Sequence, residues 1–208
     1  MRIDSVASQP DRAGRHTVRF EDGTVLRLYR QTVEDFALYS GRELTEEKLK
    51  NLRVAAGEMS AKMRAVRIVS ASSVSKRDLE YRLIQKGEDP RQAKAAVSWM
   101  SELQLLDDAK TAEQIVHRCI SKGYGLARAK QALYEKRIPK EYWDDALADY
   151  PDQNEKILEF LRSRLKPESD ERDLRKATDA LLRRGHSYHE IRRAMQKLRF
   201  DADFQEDF

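Results

Sequence analysis

The sequence feature that most constrains the fold is an internal repeat. Three segments share one order of apolar and polar residues at intervals of about 50 residues. They are LIQKGEDPRQAKAAV (83–97), LYEKRIPKEYWDDAL (133–147) and LLRRGHSYHEIRRAM (181–195). Leu83, Leu133 and Leu181 occupy the same position in these segments. Because such positions recur in constant phase, each unit is expected to bury the same faces, which is typical of a helical repeat array.

The composition fits a helical chain with a thin core. Of 208 residues, 37% are charged, and only 8 are Gly and 5 are Pro. Long charged side chains suit exposed helix faces, and Gly and Pro are the usual interruptions of helices. We therefore expect a mostly α fold in which tandem three-helix repeats form an elongated array, with a small N-terminal β-hairpin domain.

The N-terminus follows a different pattern. Two β-rich stretches in residues 15–30 flank Asp22-Gly23, a dipeptide that favours a two-residue hairpin turn with positive φ angles. An isolated hairpin is marginal, so Ile3 and Val6 are candidates for a third strand. After Thr45 the apolar spacing predicts one long helix over about 46–69. Its inward face is predicted to hold Leu49, Leu52, Ala56, Met59, Met63 and Val66.

Shorter helices are predicted after the long one. Ser75 precedes an acidic residue by three positions, an arrangement close to a capping box, so a helix should begin near Lys76. Gly87 should end that helix, and Pro90 should begin the next. The pattern divides the chain into an N-terminal domain (1–44), a connecting helix (45–72), repeat 1 (73–122), repeat 2 (123–168), a truncated repeat 3 (169–200) and an acidic tail (201–208).

Charge and cysteine content indicate the kind of partner and the cellular compartment. The net charge of +4 favours a polyanionic partner without the excess of a histone-like protein. The positive charge is concentrated in residues 172–200. The acidic tail that follows, DADFQEDF, either screens that basic segment or is disordered. The single cysteine, Cys119, fits a reducing compartment and lies in an apolar helical stripe. No apolar run is long enough for a membrane span, so a soluble, cytoplasmic protein is expected. We also expect the protein to be a monomer.

Basic residues end one helix in each predicted module, namely Lys86, Lys136 and Arg184. Two interpretations are open. Each cation stabilises a helix dipole by about 0.3–1 kcal/mol, which is sufficient alone. Alternatively, the array places them on one side as a ladder that meets phosphates or acidic groups of a repeating partner. The ladder also accounts for bases that dipoles do not require, which are Arg137, Arg183, Arg192 and Arg193.

The motifs of common enzyme classes are missing from the sequence. There is no Gly-rich phosphate loop followed by Lys, no dinucleotide fingerprint and no nucleophile elbow. Asp107-Asp108 precedes a helix, where carboxylates cap free N–H groups, and His186 with His189 lacks the further ligands of a metal site. Trp143 has the phase of a core residue, whereas Trp99 and Tyr142 fit either core packing or base stacking. We expect no catalysis and no cofactor.

Three stretches carry a family resemblance. They are SKRDLEYRLIQKG (75–87), LQLLDD (103–108), and the spaced residues Arg118, Gly123, Tyr124, Gly125 and Arg128 followed by QALYEKRI (131–138). In order, spacing and repeat phase they resemble the RecX family of recombinase regulators, over nearly the whole chain. One departure is Arg137, which replaces the Gly of the other two repeats and predicts that this helix does not end in an αL glycine cap.

The resemblance implies a protein that binds the filament of the RecA recombinase on single-stranded DNA and restrains it in DNA repair and the SOS response. Contact with the DNA would be direct or through the filament. The candidate binding residues are the cations of the family-like stretches and of repeat 3, namely Arg77, Arg82, Lys86, Arg118, Arg128, Lys136, Arg137, Arg183, Arg184, Arg192 and Arg193. A free-standing helical-repeat DNA-binding module is the alternative, favoured by the basic third repeat.

Overall fold

A three-stranded antiparallel sheet begins the chain. The structure, a computed structural model, describes residues 1–166 and 169–206, and for 199–206 it describes the backbone alone. β1 (Ile3–Val6) pairs with β2 (Arg15–Phe20), and β2 pairs with β3 (Val25–Tyr29). The predicted hairpin and its third strand are confirmed.

The hairpin turn is longer than the two residues predicted. The Phe20 N–H donates to the Thr24 carbonyl at 2.9 Å, and the Gly23 N–H donates to the Phe20 carbonyl at 3.0 Å. Gly23 takes a φ of +86°, whereas Asp22 stays at negative φ. A turn with one αL residue at its end also matches the twist of the strands, so the dipeptide fixes the position of the turn but not its type.

Helices form most of the remaining chain. They are α1 (Arg30–Asp35), α2 (Glu46–Ala71), α3 (Lys76–Gln85), α4 (Pro90–Glu102), α5 (Asp108–Ser121), α6 (Leu126–Glu135), α7 (Trp143–Leu147), α8 (Asn154–Arg164), α9 (Glu171–Arg183) and α10 (Tyr188–Glu206), with a 3₁₀ turn at Lys140–Tyr142. The helix starts predicted near Lys76 and at Pro90 are confirmed. The backbone of α10 continues into the first part of the acidic tail, whose side chains lie outside the described residues.

The buried face of α2 changes along its length. Near its start Leu52 is buried among the residues of the sheet, as the predicted stripe requires. Further along, Ala61 and Ala65 are fully buried against α3 and α4, whereas Met59 and Met63 are only half-buried. One end of α2 packs on the sheet and the other on two helices, so the inward face rotates away from the predicted stripe.

The helices associate in threes. The second part of α2 packs with α3 and α4, α5 packs with α6 and α7, and α8 packs with α9 and α10. Leu83, Leu133 and Leu181 are each fully buried in the apolar core of their own group, as predicted. Contacts divide the chain into two compact units, Met1–Leu106 and Asp107–Phe208. The segment boundaries drawn from the sequence, after residues 72, 122 and 168, stay a prediction.

The middle helix of each group ends in the same backbone motif. After α3, the Gly87 N–H donates to the Ile84 carbonyl at 2.9 Å, and the Glu88 N–H donates to the Leu83 carbonyl at 3.1 Å. Equivalent residues after α6 and α9 make the same two bonds. This pair of bonds is the Schellman motif, in which one residue takes the αL conformation. The repeat therefore extends from the side-chain pattern to individual hydrogen bonds.

Because Arg137 stands where the other repeats have Gly, this helix was predicted not to end in an αL glycine cap. The prediction is wrong about the backbone, since the helix ends in an αL cap without glycine. Arg137 takes a φ of +53°, and its N–H donates to the Tyr134 carbonyl at 2.9 Å. The Ile138 N–H then reaches the Leu133 carbonyl at 3.0 Å, and Ile138 is buried. Burial of Ile138 requires the chain to turn here, so tertiary packing overrides the preference of αL for glycine.

Candidate functional site

The three candidate cations of the first unit differ in their surroundings. Arg77 and Lys86 are exposed at opposite ends of α3. Arg82 is half-buried and pairs with the buried Asp78 carboxylate at 2.8 Å. Arg82 therefore compensates a buried charge within its own helix, and only Arg77 and Lys86 present their charge fully to solvent.

The three candidate cations on α5 and at the end of α6 also differ in exposure. Arg118 is exposed on α5, whereas Lys136 and Arg137 are half-buried at the C-terminal end of α6. Lys136 is the C-cap residue of that helix. This placement fits the helix-dipole interpretation for Lys136.

Arg192 and Arg193 lie side by side on α10 in different surroundings. Arg192 is exposed, whereas Arg193 Nη2 is 2.6 Å from a carboxylate oxygen of Asp152 and its Nε donates to Asn154 at 3.3 Å. Arg193 thereby connects α10 to the start of α8. The predicted binding role of both residues stays a prediction.

The structure brings three of the candidates together in one cleft of the second unit. Arg128 of α6 and the Arg183–Arg184 pair at the end of α9 line a cleft of about 770 Å³. Sequence reasoning missed two more cations that line it, Arg164 at the end of α8 and Lys176 of α9. Lys176 and Arg183 lie seven residues apart on one helix, a spacing from which their shared face was predictable.

Aromatic contacts and an ion pair hold three arginines of the cleft. The Arg184 guanidinium carbon lies 4.4 Å from the centre of the Phe160 ring, and that of Arg164 lies 5.7 Å from the same ring. Arg128 pairs with Glu135 at 3.0 Å. Cation–π contact and ion pairing reduce the freedom of these side chains, so their charges are positioned before any ligand arrives.

Two glycines let helix termini approach closely beside this cleft. The Gly125 N–H donates to the Arg184 carbonyl at 2.9 Å, and the Ala127 N–H donates to the Gly185 carbonyl at 3.3 Å. A Cβ on Gly125 would lie 2.1 Å from the Gly185 oxygen, and one on Gly185 would lie 2.3 Å from the Arg128 nitrogen. We call this contact the glycine junction. It requires glycine on both sides.

His186 belongs to the glycine junction rather than to a metal site. It is buried, its Nε2 lies 3.1 Å from the Gly123 carbonyl, and its buried Nδ1 has no hydrogen-bond partner among the described residues. A carbonyl only accepts, so Nε2 carries a proton and donates it to the Gly123 carbonyl. Burial lowers the pKa of His186, because a second proton would place a charge in this unpaired environment.

Other groups named from the sequence have structural contacts. The Asp107 carboxylate accepts the Lys110 N–H at 2.9 Å, which confirms the predicted cap. Glu190 accepts from the Ser187 N–H at 2.6 Å in a capping box that was overlooked in the sequence. Trp143 packs in the α5–α7 core, as predicted, and donates to the Ile138 carbonyl at 3.1 Å.

The other aromatic and thiol groups that the sequence singled out also pack inward. Tyr142 contacts the α5–α7 core, and Trp99 contacts the α2–α4 core with the Lys62 ammonium 5.5 Å from its ring centre. Cys119 is buried, and burial raises the pKa of its thiol. Within the described ranges no three His, Cys, Asp or Glu residues converge as metal ligands. Among the described helices none is long and apolar enough to cross a membrane.

The three-helix groups repeat along the chain, and the middle helix of each group ends in the same Schellman motif. These features define the chain as a helical-repeat protein. The family profile for RecX, second three-helix domain, matches residues 107–147, which span α5 to α7. The regulatory protein RecX of Stenotrophomonas maltophilia (strain R551-3) is 31% identical over 150 residues, which cover 70% of this chain and 90% of that protein. The chain belongs to the RecX family of regulatory proteins.

Further relatives extend the similarity to almost the full length. The regulatory protein RecX of Clostridioides difficile (strain 630) is 25% identical over 202 residues, covering 94% of this chain and 95% of that protein. A crystal structure of regulatory protein RecX covers 94% of this chain with a TM-score of 0.60 at 21% identity. RecX from Lactobacillus salivarius gives a TM-score of 0.58 at 24% identity over 70% of this chain. At these identities the two structures show that the fold is shared.

Proposed function

We propose that this protein binds the filament that the RecA recombinase forms on single-stranded DNA. It thereby inhibits or modulates strand exchange, ATP hydrolysis and coprotease activity in DNA repair and the SOS response. The observation that carries the proposal is the similarity to regulatory RecX proteins, which for one relative extends over 94% of this chain. RecA and DNA are the partners that the resemblance implies.

The surface chemistry supports a macromolecular, anionic partner. Arg77, Arg118 and Arg192 are exposed, and they lie in separate three-helix groups. Exposed arginines on successive groups suit a partner that repeats along its length, because one contact is then reproduced several times. Multiple weak charge contacts add up to useful affinity when their carrier spans more than one site.

The test measures ATP hydrolysis by the recombinase on single-stranded DNA as this protein is added. A filament-specific regulator acts at few sites, so hydrolysis should fall when the protein is well below one molecule per recombinase subunit. Charge reversal at the three exposed arginines (Arg77→Glu, Arg118→Glu, Arg192→Glu) should raise the half-inhibitory concentration by at least about tenfold, equivalent to ~1.4 kcal/mol.

A matched variant controls for net charge. Arg12, Arg19 and Arg27 are exposed in the N-terminal β region, and their reversal changes the charge by the same amount away from the helical groups. This control should inhibit like the unmodified protein. Inhibition that appears only when enough protein is present to coat the DNA, and that disappears with competitor DNA, would instead support a free-standing DNA-binding module.

A further inference from the structure

The two edges of the N-terminal sheet differ in how they are covered. The outer edge of β1 is paired, since the Ile3 N–H donates to the Arg42 carbonyl at 2.9 Å and the Leu44 N–H donates to the Met1 carbonyl at 2.8 Å. The outer edge of β3 has no such cover in the part of the chain that the structure describes. An uncovered edge strand presents a row of backbone donors and acceptors to another extended chain.

The register of β2 and β3 identifies the open backbone groups. The Phe20 N–H donates to the Thr24 carbonyl at 2.9 Å, and bonded pairs alternate with non-bonded pairs along an antiparallel ladder. Val25 and Arg27 belong to non-bonded pairs, so their N–H and C=O groups point away from β2. Neither residue makes a backbone hydrogen bond to any other described residue on that side. The open stretch is short, because Tyr29 is already the N-cap residue of α1.

Side chains on both faces of the sheet determine which strand suits this edge. Arg27 and Arg19 are exposed on the solvent face, and neither has an ion pair among the described residues. No residue that β2 and β3 place on this face is acidic, the six being Arg15, Thr17, Arg19, Val25, Arg27 and Tyr29. On the core face Leu26 is half-buried, whereas its cross-strand neighbour Val18 is fully buried. A fourth strand with acidic residues toward solvent and apolar residues toward the core complements both faces.

A second copy of the chain suits the edge less well. Two β3 strands that pair about a two-fold axis through Arg27 place both Arg27 side chains directly opposite each other. A shift of the pairing by two residues leaves them diagonal neighbours at about 7–8 Å, still within reach of long side chains. Like charges in these positions oppose pairing, which is how charged residues protect natural edge strands. The same charge that disfavours a second copy favours an acidic strand.

We propose that the open edge of β3 binds an extended acidic segment of a partner protein as a fourth strand. Backbone bonds to Val25 and Arg27 supply the affinity, and the Arg27 charge together with the Leu26 side chain selects alternating acidic and apolar residues. The edge is separate from the exposed arginines of α3, α5 and α10 that are assigned to the filament. The Arg12, Arg19 and Arg27 charge-reversal variant should lose this contact and still inhibit the recombinase, so either proposal can fail alone.

The experiment measures fluorescence anisotropy of a labelled peptide of alternating glutamate and valine, about six residues long, with the full-length protein. Val25→Pro removes one outward N–H at the start of the strand and should weaken binding about fivefold. Val25→Thr keeps the N–H and the β-branched side chain, so it should bind like the unmodified protein. The circular dichroism melting curves of both variants should match, because the outward groups take no part in the ladder with β2.

A second pair of variants tests the charge. Arg27→Glu places a like charge beside the acidic strand and should weaken binding roughly tenfold. Lys94→Glu, on the exposed side of α4 in the same unit, changes the net charge equally and should leave binding unchanged. In hydrogen exchange the Val25 and Arg27 amides should gain protection when the peptide is added to the unmodified protein.

Absence of peptide binding, equal losses in Val25→Pro and Val25→Thr, or equal losses in Arg27→Glu and Lys94→Glu would overturn the proposal. Unprotected Val25 and Arg27 amides at saturating peptide would do the same. A glutamate homopeptide or an oligothymidylate that competes as well as the alternating peptide would show that charge alone accounts for binding, and would also overturn it. A dimer of the unmodified protein in sedimentation that Val25→Pro dissociates would assign the edge to a second copy instead.

Discussion

Replacing Gly185 by alanine should destabilise the protein more than the same change at Gly87, although both glycines end the middle helix of their group. Both have nearly the same φ, +86° and +87°, so the αL cost of about 1–2 kcal/mol for a residue with a Cβ is common to both. The new Cβ meets nothing within 4 Å at Gly87, but would lie 2.3 Å from the Arg128 nitrogen and 2.6 Å from its Cβ at Gly185.

Relief of that clash has a cost that follows from the junction geometry. Ordinary contact between carbon atoms is about 3.5–4 Å, so the two helix ends must separate by roughly 1 Å. That movement breaks the bond from Gly125 to the Arg184 carbonyl and the bond from Ala127 to the Gly185 carbonyl. At about 1 kcal/mol each, their loss adds ~2 kcal/mol, so Gly185→Ala should cost about 3–4 kcal/mol against about 1–2 for Gly87→Ala.

Urea unfolding, fitted separately for each transition, measures both free energies. Hydrogen exchange measured in the same variants locates the damage, because the amides of Gly125 and Ala127 should lose protection in Gly185→Ala and keep it in Gly87→Ala. Equal destabilisation by the two variants, or full protection of those amides in Gly185→Ala, would refute the steric argument and reduce the effect to backbone conformation.

Three further outcomes are expected. Arg137→Gly should stabilise the protein by about 0.5–1 kcal/mol in urea unfolding, because glycine adopts the +53° φ at little cost, and Arg137→Ala, which keeps a Cβ, should show no such gain. Since burial lowers the pKa of His186 below the ordinary 6.5, the unfolded chain takes up the proton first, so stability should fall as the pH drops below about 6.5. That part of the pH dependence should disappear in His186→Gln and persist in His189→Gln, whose side chain is exposed. Ser187→Ala removes the cap hydroxyl that accepts the Glu190 N–H at 3.2 Å and should lower the melting temperature by an amount equivalent to about 1 kcal/mol, whereas an unchanged melting temperature would show that Glu190 alone holds the start of α10.

The local sequence pattern was sufficient to predict much of the fold. The start of α3 was predictable because Ser75 accepts the Asp78 N–H, a bond between residues three apart. Burial of Leu83 and its two equivalents followed from helical spacing alone. The hairpin was predictable for the same reason, since Gly23 and its flanking strands are neighbours in sequence. These features depend on residues within one or two turns of each other.

Features that depend on distant residues were missed or wrong. The inward face of α2 rotates because the helix contacts the sheet at one end and two helices at the other, and no spacing rule contains that information. Arg137 adopts αL because Ile138 must reach the core. The cleft combines Arg128, Arg164 and Lys176 from three helices, so its charge is invisible in any single window of sequence.

The residue after the αL position is buried in every group, yet its chemistry differs each time. It is Glu88 in the first group, Ile138 in the second and His186 in the third. Glu88 accepts from Arg64 at 2.6 Å and Ser60 at 3.0 Å, both on α2, whereas His186 contacts the Gly123 carbonyl. Similar modules in one chain risk pairing with the wrong neighbour as they fold. If α3 packed against a different helix, the Glu88 carboxylate would be buried without its cation, at a cost of several kcal/mol, so Glu88 favours the pairing of α3 with α2.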